Sequence, residues 1–232
     1  MIEGAIFDVD GTLLDSMPIW EVAPIIYLKK LGITPEENLA EDVFTLSQAE
    51  WSHFIAEHYD VHQTDDEIQA GICEITNAFY LNEAPLKPGV KEFLEELSKR
   101  GTPMIAATNT PRDLIDQVLK RHEIRHYFID ILNCSDLGTN KREPKIYELA
   151  CEKLGTEKEA TWIFEDVLHA AETAKKAGFP LVAVADQASI RQRDEIKELA
   201  DIFVYGYSYP IVEGNSFNVA SRLPLLIISR TI

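Results

Sequence analysis

GAIFDVDGT, at residues 4–12, is an apolar run that ends in two carboxylates, a glycine and a hydroxyl. Such a run predicts a buried strand that ends in a polar loop. Alternation along a strand sends Asp8 and Asp10 to the same side, and Gly11 allows a sharp turn whose backbone N–H groups can face an anion. Two close carboxylates repel each other unless a cation lies between them. Because Mg2+ prefers carboxylate oxygens and accompanies phosphate, we predict a magnesium and phosphate site at this strand end.

The composition of the chain indicates its cellular compartment and the classes of partner that it can bind. The chain of 232 residues has three cysteines, without C-x-x-C spacing, which argues against a disulfide framework or a zinc site and suits a reducing compartment. The first residues lack a basic leader and no apolar run approaches membrane-spanning length, so we expect a cytoplasmic protein that binds no membrane. The net charge of -17 predicts repulsion from nucleic acid, so that a phosphate substrate needs local cations.

Residues 17–84 are predicted to be all-helical. Residues 18–30 have apolar side chains at helical spacing and are followed by Gly32. Residues 47–50 and 64–67 are capping-box patterns. The second box leads into apolar residues on one helical face, namely Ile68, Ile72, Ile75 and Phe79. We therefore predict a helical domain inserted after the first strand.

From residue 85 onward, short apolar strands alternate with helices. Strands are predicted at 103–107, 129–133, 161–164 and 181–185. This alternation indicates an α/β core, a Rossmann-like parallel sheet with helices on both faces and right-handed crossovers. We predict that residues 1–16 and 85–232 form this core around the inserted helical segment 17–84.

Two of the core helices have predicted starts. One is expected to have Thr110 as its N-cap and Pro111 at its first position, since both residue types are favoured there. Another is expected to cover 143–154, because Gly155 follows it. The tail at 211–232 is given no function.

Residues 8–16, DVDGTLLDS, resemble the first motif of the haloacid dehalogenase superfamily. The resemblance implies phosphoryl transfer through an aspartyl phosphate, with Asp8 as the nucleophile and Asp10 as the general acid and base. Gly11 and Thr12 would bind the phosphoryl group. True haloacid dehalogenases lack the second aspartate, so Asp10 favours phosphate chemistry. The helical segment would be a small helical cap, a lid over the site.

Two further pairs follow predicted strands, at the edge where open parallel sheets bind their ligands. Thr108-Asn109 resembles the second motif of the family, where a hydroxyl and nearby N–H groups hold the transferring phosphoryl oxygens. A plain helix-entry loop is the alternative reading of that pair. Glu165-Asp166 resembles the fourth motif, which supplies metal ligands, with Glu165 binding directly or through water. The Mg2+ ligands implied by the resemblance are Asp8, Asp10, Asp166 and Glu165.

The third motif of the family is a lysine whose charge holds the nucleophile and the phosphoryl group together. KREPKIY, at residues 141–147, resembles the family pattern Lys-Pro-x-Pro-x-Ile-Tyr. This register gives the catalytic role to Lys141 and makes Lys145 a first-turn residue of a helix. Arg142 stands where proline is usual, and Lys145 remains the competing candidate.

The resemblance thus implies a Mg2+-dependent phosphatase that hydrolyses a small phosphomonoester. One alternative is a phosphomutase similar to β-phosphoglucomutase, which would need a cap that grips a second phosphate. Another is a non-catalytic phospho-acceptor or binding module similar to a receiver domain, which would not need Asp10, Lys141 and a cap together. A phosphonate hydrolase would need a Schiff-base lysine from the cap, for which Lys29 and Lys30 are weak candidates.

The predicted cap is strongly acidic. From Leu31 to Leu86 there is no lysine or arginine, whereas the same stretch holds twelve Asp and Glu residues. In β-phosphoglucomutase-like enzymes, a cap arginine in a Gly-x-x-Arg loop helps to hold the distal phosphate of a sugar bisphosphate; residues 45–48 lack that glycine and that arginine. A second dianion would meet repulsion without a bidentate partner. We therefore expect monophosphates of uncharged or amine-bearing alcohols to be preferred over bisphosphates and phosphocarboxylates.

Overall fold

The computed structural model of the chain describes residues 2–43, 46, 48–209 and 217–218. The chain divides into two compact units, Met1–Asp15 with Pro85–Ile232, and Ser16–Ala84. Most of the tail at 211–232 lies outside the described residues, as do two residues of the 45–48 loop. The role of the second unit as a cap stays a prediction.

A six-stranded parallel sheet forms the centre of the first unit, which confirms the predicted α/β fold class. Its strands lie in the order β3-β2-β1-β4-β5-β6. Their bounds are β1 Gly4–Phe7, β2 Met104–Thr108, β3 Phe128–Asn133, β4 Thr161–Glu165, β5 Leu181–Val184 and β6 Ile202–Val204. Two short strands, β7 Ser208–Tyr209 and β8 Phe217–Asn218, pair antiparallel.

The part of the chain that the structure describes contains nine α-helices. Four lie in the second unit: α1 Pro18–Lys30, α2 Leu39–Val43, α3 Gln48–His58 and α4 Asp65–Asn82. Five lie in the first unit: α5 Val90–Lys99, α6 Arg112–Arg121, α7 Lys145–Leu154, α8 Leu168–Lys176 and α9 Arg193–Leu199. No helix within the described ranges has the length and apolar character needed to cross a membrane.

Helices cover both faces of the sheet because side chains of β1 alternate between two cores. Ile6 belongs to a buried cluster with residues of α7, α8 and α9. Phe7, the next residue, packs on the other face, edge-on to Phe93 of α5 at 6.2 Å between ring centroids. It also stacks on Phe164 of β4 at 4.2 Å. This stack and the parallel pairing hold β1 and β4 side by side, so that their carboxyl ends meet.

In the helical unit, α4 begins with the predicted capping box. Thr64 accepts the Glu67 N–H at 3.3 Å, and the Glu67 carboxylate accepts the Thr64 N–H at 2.9 Å. The buried face of α4 differs from the prediction: Tyr80 is 1% exposed and replaces Phe79, which is half-buried, and Thr76 is also buried. The other predicted box begins at residue 47, which lies outside the described residues.

Candidate functional site

The carboxyl ends of β1 and β4 bring together a buried acidic cluster. Carboxylate oxygens of Asp8, Glu165 and Asp166 all lie within 4.8 Å of one another. The backbone helps to place them, since the Asp8 N–H donates to the Phe164 carbonyl at 2.9 Å. Asp8 is 7% exposed, and Glu165 and Asp166 are each 1% exposed. Three carboxylates have therefore been moved out of water into a small volume, which is costly unless positive charge accompanies them.

Lys141 supplies part of that positive charge. Its ammonium donates to Asp8 Oδ1 and to Glu165 Oε1, the latter at 2.5 Å, and its side chain is 2% exposed. A turn before α7 places it, because the Glu143 N–H donates to the Asn140 carbonyl at 3.1 Å. This turn delays the helix to Lys145, two residues later than predicted. If all three carboxylates were ionised, the one ammonium would leave an excess of two negative charges.

The pKa values of the cluster respond to this crowding. Burial raises the pKa of Asp8 to about 8; Lys141 acts in the opposite direction, and the Glu165 and Asp10 charges add to the rise. The pKa of Asp166 is raised well above its ordinary value by burial, then by Asp8 and Glu165. Burial alone would lower the pKa of Lys141, but the two carboxylates outweigh it and raise that pKa. Without a further cation, the cluster therefore resists full ionisation.

Hydrogen bonds fix the carboxylates in place. The Tyr147 hydroxyl donates to Glu165 Oε1 at 3.0 Å, and the Asp166 N–H donates to Glu165 Oε2 at 3.2 Å. The Thr12 hydroxyl donates to Asp166 Oδ1 at 3.1 Å. Asp166 Oδ2 is buried and has no hydrogen-bond partner. An orphaned carboxylate oxygen beside two other carboxylates, with two negative charges in excess, fits a hard dication that binds oxygen.

Asp10 lies on a second branch of the site. Its Oδ2 accepts the Thr110 hydroxyl at 2.7 Å. The Thr110 N–H donates to Thr108 Oγ1 at 3.0 Å, and Asn133 Nδ2 donates to the Thr110 carbonyl at 2.7 Å. The prediction of Thr110 as the N-cap of α6 is wrong: Pro111 is the cap residue, and the Thr110 hydroxyl bonds to Asp10 instead. The acidic cluster around Asp8 does not include the Asp10 carboxylate, so its predicted metal ligation stays a prediction.

The three residues predicted to bind phosphate are placed differently from one another. Gly11 has φ 76°, as the sharp turn requires, but its N–H donates to the Leu14 carbonyl at 2.9 Å. That N–H is therefore engaged within the loop. Thr12 is fully buried and its hydroxyl donates to Asp166 Oδ1. Asn109 follows β2 and is exposed.

A second buried lysine near the site was missed by the sequence reasoning. Lys87 donates to Asp186 Oδ2 at 2.7 Å and to the Ala185 carbonyl at 2.9 Å, and the two side chains are 9% and 2% exposed. Asp186 follows β5, and its charge contributes to the raised pKa of Asp166. Inspection of the residues after β5 would have found Asp186, whereas Lys87 has no local signal in the sequence.

The open parallel sheet, with buried carboxylates and a lysine at the carboxyl ends of its strands, agrees with comparison against known families. The chain belongs to the haloacid dehalogenase-like hydrolases, because the sequence model of that family matches residues 5–184. The match covers the inserted helices and most of the α/β core.

Individual proteins of known name show how similar this chain is to other members of the family. The phosphoglycolate phosphatase of Vibrio parahaemolyticus is 30% identical over 145 residues, which are 60% of this chain and 64% of that protein, so less than two thirds of its length is spanned. The phosphorylated carbohydrates phosphatase of Thermotoga maritima is 26% identical over 76% of this chain and 82% of its own length. A T. maritima structure provisionally named a β-phosphoglucomutase has a TM-score of 0.77 at 24% identity, over 87% of this chain and 94% of that one. At this identity, the structural likeness concerns the fold alone.

The metal-free protein is expected to lose stability as the pH rises from about 5 to about 9. Asp8, with its pKa raised to about 8, and Asp166, with its pKa also raised, bind more protons folded than unfolded in this window. The stability that these protons provide is lost as the pH rises through the folded pKa values. Urea unfolding in EDTA across this range measures the loss, and Asp8→Asn is the matched control because it removes one titrating group. An equal slope in Asp8→Asn and wild type would contradict the assignment of the loss to Asp8.

Proposed function

We propose that this protein is a Mg2+-dependent phosphatase that hydrolyses a small phosphomonoester through a phosphorylated Asp8. The observation that supports this most is the buried cluster of Asp8, Glu165 and Asp166, with Lys141 on two of its members. Three buried carboxylates around one ammonium do not stabilise a core, since burying ionisable groups costs stability. In a site that binds a metal and a phosphoryl group, each carboxylate and the Lys141 ammonium would have a role in binding or in catalysis.

The first half of the reaction transfers the phosphoryl group to the protein. An oxygen of Asp8 attacks phosphorus, and the bond between phosphorus and the leaving alcohol oxygen breaks. Asp10 gives its proton to that oxygen, and the Thr110 hydroxyl at 2.7 Å orients its carboxylate. Thr108 accepts the Thr110 N–H, which leaves the Thr108 hydroxyl hydrogen to donate to a phosphoryl oxygen.

The second half releases phosphate and restores the protein. Asp10, now ionised, takes a proton from a water molecule whose oxygen attacks phosphorus. The bond between phosphorus and the Asp8 oxygen breaks, which regenerates the carboxylate and frees inorganic phosphate. In both halves the Lys141 ammonium offsets the repulsion between the Asp8 carboxylate and the anionic phosphoryl group.

Asp8, Asp166 and Glu165, the last directly or through water, would hold the metal. Mg2+ bound there supplies positive charge that offsets both the excess charge of the cluster and the charge of the phosphoryl oxygens. The Thr12 hydroxyl would orient Asp166 for metal binding. The Tyr147 hydroxyl would orient Glu165 in the same way.

The substrate class is proposed from the acidic helical unit and from the names of the relatives. The relatives act, by their names, on phosphoglycolate and on phosphorylated carbohydrates. The absence of lysine and arginine between Leu31 and Leu86 favours the second kind over the first, because phosphoglycolate carries an extra carboxylate. The same absence argues against a mutase, which must hold a second phosphate. We propose a small phosphorylated metabolite in the cytoplasm as the substrate, with no nucleic acid or membrane partner.

Matched substrates test the charge preference. We expect kcat/KM to be about 10-fold higher for glucose 6-phosphate than for glucose 1,6-bisphosphate, and for ethanolamine phosphate than for phosphoglycolate, since one disfavoured charge contact is worth about 1.4 kcal/mol. The ratio should shrink as salt screens the charges. A clear preference for the bisphosphate would favour the mutase alternative, and one for phosphoglycolate would overturn this interpretation of the acidic unit.

Phosphate release tests the proposed function itself. Several dozen phosphorylated metabolites are incubated with the protein in Mg2+ and in EDTA, and inorganic phosphate is measured. We expect release in Mg2+ and none in EDTA. Asp166→Asn should raise the Mg2+ concentration for half-activity by at least about 10- to 100-fold, as loss of a group close to a metal does. The control is Asp113→Asn, an exposed aspartate of α6, which should match wild type. Full activity in EDTA would contradict the metal assignment.

A further inference from the structure

Three buried polar atoms of the described residues lack a hydrogen-bond partner. Among the described residues, such side-chain atoms are Asp166 Oδ2, Arg193 Nε and the Tyr207 hydroxyl oxygen. Buried polar groups of native proteins nearly always find a hydrogen bond to protein or to ordered water. When Asp166 is ionised, its Oδ2 is an acceptor and the Tyr207 hydroxyl is a donor, so that a water molecule placed between them would satisfy both atoms.

Tyr207 is held firmly beside the strand that presents the acidic cluster. It is 1% exposed, and its N–H donates to the Pro88 carbonyl at 3.1 Å. Its ring lies 5.0 Å from that of Phe93 and is stacked on Phe164 at 6.4 Å between ring centroids. Phe164 immediately precedes Glu165 and Asp166, and its carbonyl accepts the Asp8 N–H at 2.9 Å. Packing therefore fixes the Tyr207 ring next to the strand end that forms the site.

The electrostatics agree with this location. Burial raises the pKa of Tyr207 well above its ordinary value, and the Asp8, Asp166 and Glu165 charges add to the rise. The carboxylates that act on the hydroxyl are thus those of the acidic cluster. The hydroxyl keeps its proton throughout the physiological range and can donate a hydrogen bond.

We propose that Tyr207 is a positioning residue for metal binding: its hydroxyl donates, through one water molecule, to Asp166 Oδ2. The Thr12 hydroxyl holds the other oxygen of the same carboxylate at 3.1 Å. Two donors, one on each oxygen, would fix the orientation of Asp166 before the metal arrives. The inference rests on the proposed function, because the Mg2+ whose ligand is positioned belongs to that function.

A purely structural role makes a different prediction. If the hydroxyl were merely an unpartnered group in an apolar pocket, its removal would stabilise the protein and leave Mg2+ binding unchanged. If it positions Asp166, its removal weakens Mg2+ binding, whether or not the metal-free protein becomes more stable. Tyr207→Phe separates the two, since it removes one oxygen and keeps the ring that packs on Phe93 and Phe164.

The experiment is calorimetric titration of Mg2+ into wild type, Tyr207→Phe and the control Tyr205→Phe, without substrate. Tyr205 is 68% exposed and is two residues away, so its variant should bind Mg2+ as wild type does. We expect the Kd of Tyr207→Phe for Mg2+ to rise about 10-fold. In a separate assay of phosphate release from p-nitrophenyl phosphate, kcat at saturating Mg2+ should stay within about threefold of wild type. A Kd within twofold of wild type would overturn the inference and leave the proposed function standing. Failure of wild type to bind Mg2+ would overturn both.

Discussion

The Asp8→Asn protein is expected to release no phosphate above background, a loss of at least about 10^4-fold in kcat. An amide is a poor nucleophile, and without attack by Asp8 the phosphoryl group has no acceptor in the site. The fold should survive, because the substitution removes one of three buried carboxylates. Burial raises the pKa of this carboxyl group to about 8, so its ionised form is costly in the metal-free protein. Thermal unfolding in EDTA is the control, and the variant should be at least as stable as wild type. Normal phosphate release by Asp8→Asn, free of wild-type contamination, would contradict covalent catalysis.

Asp10→Asn is the companion to that variant. We expect it to accept the phosphoryl group, at least from substrates with a good leaving group, but to hydrolyse the product on Asp8 slowly. The Thr110 hydroxyl can still donate to the amide oxygen, so the side chain should keep its place. A phosphorylated protein should therefore accumulate in Asp10→Asn and not in Asp8→Asn.

Lys141→Met is expected to lower kcat by about 100- to 1000-fold, the usual effect of removing one preorganised electrostatic donor. The ammonium bonds both Asp8 and Glu165, so its loss leaves two buried carboxylates without a counter-ion. That change should also cost about 3–5 kcal/mol of unfolding free energy in EDTA. Activity and urea unfolding are measured together, at temperatures where the variant is folded.

Lys145→Met is the matched control for this prediction. Lys145 is exposed at the start of α7, and its ammonium donates to the Leu137 carbonyl at 2.6 Å. It contacts no member of the acidic cluster, so the variant should keep kcat within about threefold of wild type. A large loss in Lys145→Met with little loss in Lys141→Met would reverse the assignment of the third motif.

The parts of the fold that could be predicted are those with a local signal. β1 is a short apolar run, and β2 and β4 begin and end within one residue of their predicted bounds because short apolar runs mark them. The meeting of Asp8 with Glu165 and Asp166 follows from the rule that parallel strands present their carboxyl ends at one edge. Lys141 was found only through its spacing to Pro144 and Tyr147.

The contacts that could not be predicted join residues far apart in the chain. Thr12 and Asp166 are separated by 154 residues, Thr110 and Asp10 by 100, and Lys87 and Asp186 by 99. No local pattern records such pairs, because they depend on how side chains pack after the sheet forms. Thr110 illustrates this well: local preference favours a helix cap there, but the hydroxyl meets Asp10 and bonds to it.

Trapping of the phosphorylated protein tests whether Asp8 accepts the phosphoryl group. Wild type, Asp8→Asn and Asp10→Asn are mixed with 32P-labelled p-nitrophenyl phosphate and Mg2+, quenched in acid within one turnover, and assayed for protein-bound label. This substrate has a leaving group that needs no proton, so Asp10→Asn should still be phosphorylated. We expect label on Asp10→Asn approaching one phosphoryl group per chain, a smaller amount on wild type, and none on Asp8→Asn. Label of equal amount on Asp8→Asn and Asp10→Asn, or phosphate release from wild type without any labelled protein, would contradict the proposed role of Asp8.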